Sequence, residues 1–121
     1  MMTQSIFLLL MSGIALFSKV IPITETNYPK EVEAKGLFIL EVYSNSCPPC
    51  KAVAPIFSQV SEEFAGKARF GKVEIHEQPE LSDRLGVYAT PTFIFFKNGE
   101  EVGRHVGGMT KEEMTQKIKQ I

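Results

Sequence analysis

Cys47 and Cys50 are the only thiols in this 121-residue chain, and they are separated by two prolines. At that spacing a pair of thiols can close a small disulfide ring and reopen it, or supply half of a metal site. The pair stands where an apolar, strand-like run gives way to a helical pattern, hence at a helix N-terminus. There the first backbone N–H groups and the macrodipole stabilise a thiolate, which is the reactive form. Cys47 is expected at the exposed helix end, within reach of a substrate disulfide. Cys50, one turn further in, is suited to resolve a mixed disulfide by attacking Cys47. The competing readings are a static disulfide, two unreactive thiols or a metal site. A closed zinc site needs four ligands, and only His76 and His105 could join the pair, neither at a recognisable ligand spacing. No metal is therefore expected, and both histidines are assigned to the surface.

Glu41 is the lone carboxylate in the run Leu37 to Tyr43. Burying it unpaired is costly, and desolvation raises its pKa. Both effects suit a general base that takes the Cys50 proton during resolution. The alternative is a glutamate at a water-exposed strand edge. Pro49 fits the first turn of a helix, where its missing N–H is not needed. Pro48 removes a second amide that could have stabilised the Cys47 thiolate, so the pair is expected to shift the redox potential.

The elements that must position these groups follow from periodicity. Val20 to Thr24 reads as a first strand, placed at a sheet edge by Pro22, which cannot donate to a ladder. Thr26 or Asn27 can cap a helix from Tyr28 to Ala34, stopped by Gly36. The nearly continuous apolar run Leu37 to Tyr43 reads as a strand covered on both faces. After Cys50, Val53, Ile56, Phe57, Val60 and Phe64 recur at helical spacing, with Pro55 as a kink and Gly66 as the stop. Ala68 to Ile75 is the next strand, and Pro79 opens a short helix that ends at Arg84 or Leu85 before Gly86. Thr92 to Phe96 and Glu101 to Val106 flank a hairpin turn at Lys97-Asn98-Gly99-Glu100. Thr110 and Glu113 form a capping box on a final helix that turns Met114 and Ile118 inward. Phe57, Phe64 and Phe93 to Phe96 are assigned to the core. This order predicts an α/β domain with a central mixed β-sheet of about five strands and helices on both faces.

Composition excludes several partners. A formal charge of −1 with 22% charged residues gives no basic footprint for nucleic acid, and Lys and Arg are scattered along the chain. Residues 1–18 are a separate apolar segment. Ile6 to Phe17 fits the h-region of a secretory signal, with small residues Gly13 and Ala15 at the spacing cleavage requires, yet no basic residue precedes Lys19. An uncleaved anchor, an apolar helix packed on the domain, or a start at Met11 are the other readings. A membrane partner is expected only if this segment is an anchor. The localisation is correspondingly cytoplasmic, or periplasmic or secreted.

Strand, Cys-x-x-Cys, helix with internal proline and late hairpin, in that order, resemble the thioredoxin family over residues 19–121. Pro55, Thr90-Pro91-Thr92, the turn Phe96 to Glu100 and Gly107 match further features of its pattern. The resemblance implies a thioredoxin fold and a thiol–disulfide oxidoreductase that reduces protein disulfides. It also implies electrons from a separate reductase, a monomer, and no cofactor beyond the Cys47–Cys50 pair. It further implies a cis Thr90-Pro91 peptide facing the cysteines, with the Thr90 backbone free to pair with an extended substrate segment. Glu41 stands where the family buries an aspartate, and Lys72 where its strand lysine pairs with that aspartate. The aromatic residue at the strand end is Tyr43 here, in a chain without tryptophan. The usual Trp-Cys-Gly-Pro-Cys reads Ser46-Cys47-Pro48-Pro49-Cys50 here. An exported relative that forms or maintains disulfides, and a binding module that uses the Thr90-Pro91 groove without catalysis, are the alternative functions.

Overall fold

The computed structural model describes residues 19–121, and the expectations for residues 1–18 lie outside them. The described chain runs β1 (Val20–Pro22), α1 (Tyr28–Glu31), β2 (Leu37–Tyr43), α2 (Pro48–Glu63), β3 (Ala68–Glu74), α3 (Pro79–Arg84), β4 (Thr92–Lys97), β5 (Glu100–Val106) and α4 (Lys111–Lys119). The five strands form one sheet in the order β1-β3-β2-β4-β5. β1, β3 and β2 are parallel, whereas β4 and β5 are antiparallel to their neighbours. The expected mixed sheet is therefore found, with β2 at its centre and Pro22 on the β1 edge.

Alternation along the strands sorts the core into two layers. Ile39, Phe70, Phe93 and Phe95 pack with Val53, Phe57 and Val60 of α2 and with Met114 and Ile118 of α4. On the other face Phe38, Leu40, Val42, Val73, Ile94 and Phe96 pack with Leu81 of α3, Val32 and Tyr28. Helices thus cover both faces, which is why β2 is apolar at nearly every position. Glu41 shares its face with Ile39, the side that α2 covers.

Local differences have local causes. The first helix is a single turn rather than running to Ala34. Arg69 donates to the Glu31 carbonyl, the acceptor that the Lys35 N–H of a longer helix would use, and also to the Glu31 carboxylate. Gly36 (φ +96°) serves the turn into β2 instead of a helix stop. Asn27 does not cap with its side chain. Its Oδ1 accepts from the Thr24 N–H at 2.8 Å and its Nδ2 donates to the Pro22 carbonyl at 2.9 Å, so β1 ends two residues early. α2 continues through Pro55, whose missing N–H leaves the Lys51 carbonyl without its intrahelical donor. At the hairpin, Asn98 (φ 54°) and Gly99 (φ 84°) both take the left-handed conformation that a tight two-residue turn requires. The Thr110–Glu113 capping box is formed reciprocally, at 3.1 Å in each direction.

Candidate active site

The site lies at the C-terminal ends of β2 and β3. β2 delivers the chain into a turn at Ser44–Ser46, and Cys47 is the N-cap of α2. The turn is held by its own side chains. The Ser46 N–H donates to Ser44 Oγ (3.3 Å), and the Cys47 N–H donates to the Ser44 carbonyl (3.3 Å). Cys47 and Cys50 are joined as a disulfide. With the bond closed Cys47 is only 9% exposed and Cys50 4% exposed. The expected order holds, but Cys47 is more covered than a free helix end, because the disulfide turns its side chain toward Cys50. Exposed Asn45, Ser46, Pro48 and Pro49 surround it.

The prolines have a visible electrostatic effect. They occupy the first two helical positions, so the first amide available to Cys47 is that of Cys50 itself. It donates to Cys47 Sγ at 3.2 Å. That contact and the helix dipole are what α2 offers a Cys47 thiolate. Across from it stands the Thr90-Pro91 peptide, which is cis as the resemblance implied. The Thr90 carbonyl oxygen lies 3.6 Å from Cys47 Sγ. The Pro91 carbonyl accepts from the Gly107 N–H at 2.7 Å, tying this loop to the end of β5. His105 is partly exposed at the surface, its Nε2 3.0 Å from the Gly108 carbonyl oxygen. His76 is exposed, as expected.

Beneath the disulfide a pocket of about 160 Å³ is lined by Glu41, Tyr43, Ser44, Asn45, Cys50, Lys51, Ala54 and Lys72. A site of this size and polarity has room for water between the Glu41 carboxyl and Cys50. Glu41 is 4% exposed on the central strand, which removes the edge alternative. Desolvation pushes its pKa up from 4.5 to about 7, and the charge of Lys72 opposes the shift. Lys72 is directly across from it in the β2–β3 register. The two make no ion pair, however: the Lys72 ammonium sits over the Tyr43 ring, 5.6 Å from its centroid. Pairing of the family's kind is thus replaced by a longer-range interaction.

Glu74 was not singled out by sequence reasoning. Its carboxylate is buried (5% exposed) and accepts from the backbone N–H groups of Asn45 (2.9 Å), His76 (2.6 Å) and Glu77 (2.9 Å). Burial alone would raise its pKa, but these donors hold it below the ordinary value. Glu74 therefore fastens the turn that carries Cys47 to the loop after β3. The available signal was a second acidic residue in an apolar strand run, between Val73 and Ile75. Glu74→Ala leaves those donors without their acceptor, and a loss of about 2–4 kcal/mol is expected in urea unfolding at pH 7. For a lowered carboxylate the stabilisation is present above the unfolded pKa and is lost as pH falls through the folded one. The gap between variant and parent should accordingly narrow on acidification below pH 4.5. A gap that is the same at acid pH would remove the carboxylate from this role.

Among the described residues no group of three or more His, Cys, Asp or Glu side chains is placed to hold a metal ion. No helix among them is long and apolar enough to cross a membrane.

The comparisons agree on one family. The thioredoxin family model matches residues 19–120. Thioredoxin from Buchnera aphidicola subsp. Acyrthosiphon pisum is 32% identical over 98 residues, covering 80% of this chain and 91% of that one. Thioredoxin from Staphylococcus saprophyticus is 29% identical over 99 residues, covering 82% and 94%. Among solved structures, Malassezia sympodialis thioredoxin superposes with a TM-score of 0.78 at 28% identity, over 85% of this chain and 90% of that one.

Proposed function

The chain belongs to the thioredoxin family of thiol–disulfide oxidoreductases, and we propose that in it Cys47 attacks, Cys50 resolves and Glu41 accepts the Cys50 proton. Its substrates are protein disulfides and its electrons come from a separate reductase. The redox group is the Cys47–Cys50 pair itself, so the reaction requires no bound cofactor.

The observation that carries the assignment is the position of Cys47. It is the N-cap of a helix, with the Cys50 N–H on its sulfur and the cis Thr90-Pro91 peptide opposite. In the reduced protein the Cys47 thiolate attacks one sulfur of the substrate disulfide. A Cys47–substrate bond forms, the substrate S–S bond breaks, and one substrate thiolate leaves. Cys50 then gives its proton to the Glu41 carboxylate, directly or through water in the shared pocket. Its sulfur attacks Cys47, the mixed disulfide breaks, and the second substrate thiolate is released. The substrate has gained two electrons and the enzyme holds the Cys47–Cys50 disulfide. Thr90 offers its backbone to an extended substrate segment beside Cys47, as an added strand would. Pro91 sets that wall, and Pro48 and Pro49 limit the amides that stabilise the thiolate. Tyr43 and Lys72 shape the pocket under Cys50.

The working unit in this reading is a monomer. Membrane association would require residues 1–18 to act as an anchor.

Reduction of insulin disulfides, driven by a small dithiol, tests the assignment. Cys47→Ser is expected to fall to the rate without protein. If it reduced insulin as fast as the unaltered protein, catalysis by this pair would be ruled out.

A further inference from the structure

Glu41 and Lys72 are register partners across the parallel β2–β3 pair, near enough for opposite charges to pair. Here they do not. Lys72 is exposed, and its ammonium lies over the face of Tyr43, two residues along β2 from Glu41. The ring quadrupole attracts a cation at that position while leaving it in water. To reach Glu41 the ammonium would have to move further into the pocket that Lys72 lines together with Ser44, Cys50 and Ala54, and give up hydration.

We propose that Tyr43 is a positioning residue whose ring holds the Lys72 ammonium off the Glu41 carboxylate, so that the carboxylate stays buried without a counter-ion. The proposal rests on the reading of Glu41 as the proton acceptor for Cys50. A carboxylate clasped by an ammonium ionises at lower pH and is a weaker base. One left alone in a desolvated pocket exchanges its proton near neutrality, where Cys50 needs it. Tyr43 thereby sets the pH range of the resolving step without touching the reacting sulfurs.

The charged and titratable groups around Glu41 are few. β3 contributes Lys72, β2 contributes Tyr43, and α2 contributes Cys50 and Lys51. β4 brings the uncharged Phe93 to the register position beside Glu41. The Tyr43 hydroxyl is pushed above its ordinary value, first by burial and then by Glu77, Glu74 and Glu41, and so stays neutral. Lys72 is thus the cation that Tyr43 can withhold or release.

The test is an NMR titration of the Glu41 side-chain carboxyl carbon in the oxidised full-length protein, where neither cysteine titrates. Tyr43→Leu removes the ring, and the Glu41 midpoint is expected to fall by about one pH unit as Lys72 closes on the carboxylate. Tyr43→Phe retains the ring face and should leave the midpoint in place. In a Lys72→Met background, Tyr43→Leu should no longer move it. An unchanged midpoint in Tyr43→Leu overturns the proposal. So does an equal fall in the Lys72→Met background, since the ring would then act by keeping water out of the pocket. Lys72→Met alone gives an arm that does not depend on Tyr43→Leu folding. A rise of less than about half a pH unit fits an ammonium held off the carboxylate, and a rise of a full unit or more contradicts it. The midpoint is read without turnover. If instead Glu41 does not serve Cys50, the failure appears only in the kinetics of mixed-disulfide resolution.

Discussion

Glu41→Leu should yield a protein that is more stable at pH 8 and far slower to resolve its mixed disulfide. The stability half follows from linkage. Glu41 has its folded pKa raised by desolvation from 4.5 to about 7. Below pH 4.5 the carboxyl is protonated in folded and unfolded chains alike and contributes no penalty. As pH rises through that window, the unfolded chain ionises first and the folded chain is held back, so stability is lost. Above about pH 7 the loss is complete and amounts to about 3 kcal/mol. Leucine carries no such charge, so its advantage over the parent should open between pH 4.5 and 7 and then level off. Urea unfolding of the two oxidised proteins at pH 4 and pH 8 measures it. Equal differences at the two pH values would mean that the folded pKa is not raised.

The kinetic half has the opposite sign. A positioned general base contributes roughly 10²–10⁴-fold to a proton transfer. Resolution by Cys50 should slow by about that factor, while attack by Cys47 is largely unaffected. In single-turnover experiments the leucine variant should accumulate the Cys47–substrate mixed disulfide, which the parent does not. The parent's resolving rate should also rise with pH through about 7 as Glu41 ionises, whereas the variant's should follow only the ionisation of the Cys50 thiol itself. Absence of accumulation would remove Glu41 from the reaction. A residue that is costly to the fold and useful to the chemistry is what a buried, unpaired carboxylate beside a thiol should be.

The second large effect concerns Gly71, which has no role in the chemistry. A Cβ at this position in β3 would lie 2.6 Å from Phe38 Cζ, 2.7 Å from Ile23 Cγ1 and 3.0 Å from the Ile21 carbonyl oxygen. Phe38 is fully buried and Ile23 is 2% exposed, so neither has free space to move into. Phe38 is also covered by the Arg69 guanidinium, 5.2 Å from its ring centroid. Adding one methyl group therefore forces apart β1, β3 and the side chains between them. Gly71→Ala is expected to lose about 3 kcal/mol and to lower Tm by roughly 10–15 °C. A thermal melt within a degree or two of the parent's would show that this layer can yield.

These expectations separate two kinds of information. The helix that begins at Cys47 is legible in the sequence because its causes are local: proline at its first turn, apolar residues every three or four positions, glycine after its end. The same holds for the Asn98-Gly99 turn and the Thr110–Glu113 cap. Glu41 is legible as a candidate for a related reason, since a single carboxylate in a run of strand-forming apolar residues is either buried or on a strand edge, and its place on the central strand decides for burial. The one-turn α1 was not legible, because Arg69, thirty-eight residues away, takes the Glu31 carbonyl. Glu74 looked like one acidic residue among several until the fold brought the Asn45 amide to it.

Cys47 and Cys50, their place on a helix end and the nearby carboxylate are thus written in the sequence by itself, through spacing and hydrophobic pattern over a few residues. The tertiary structure decided what stands around them. The resemblance had already set Lys72 opposite Glu41, but the alignment of β2 with β3 puts its ammonium over Tyr43, sets Gly71 against Phe38, and brings Glu74 under the turn before Cys47. Those placements depend on the register between strands some thirty residues apart, which fixes every cross-strand neighbour at once and leaves no trace in either strand alone.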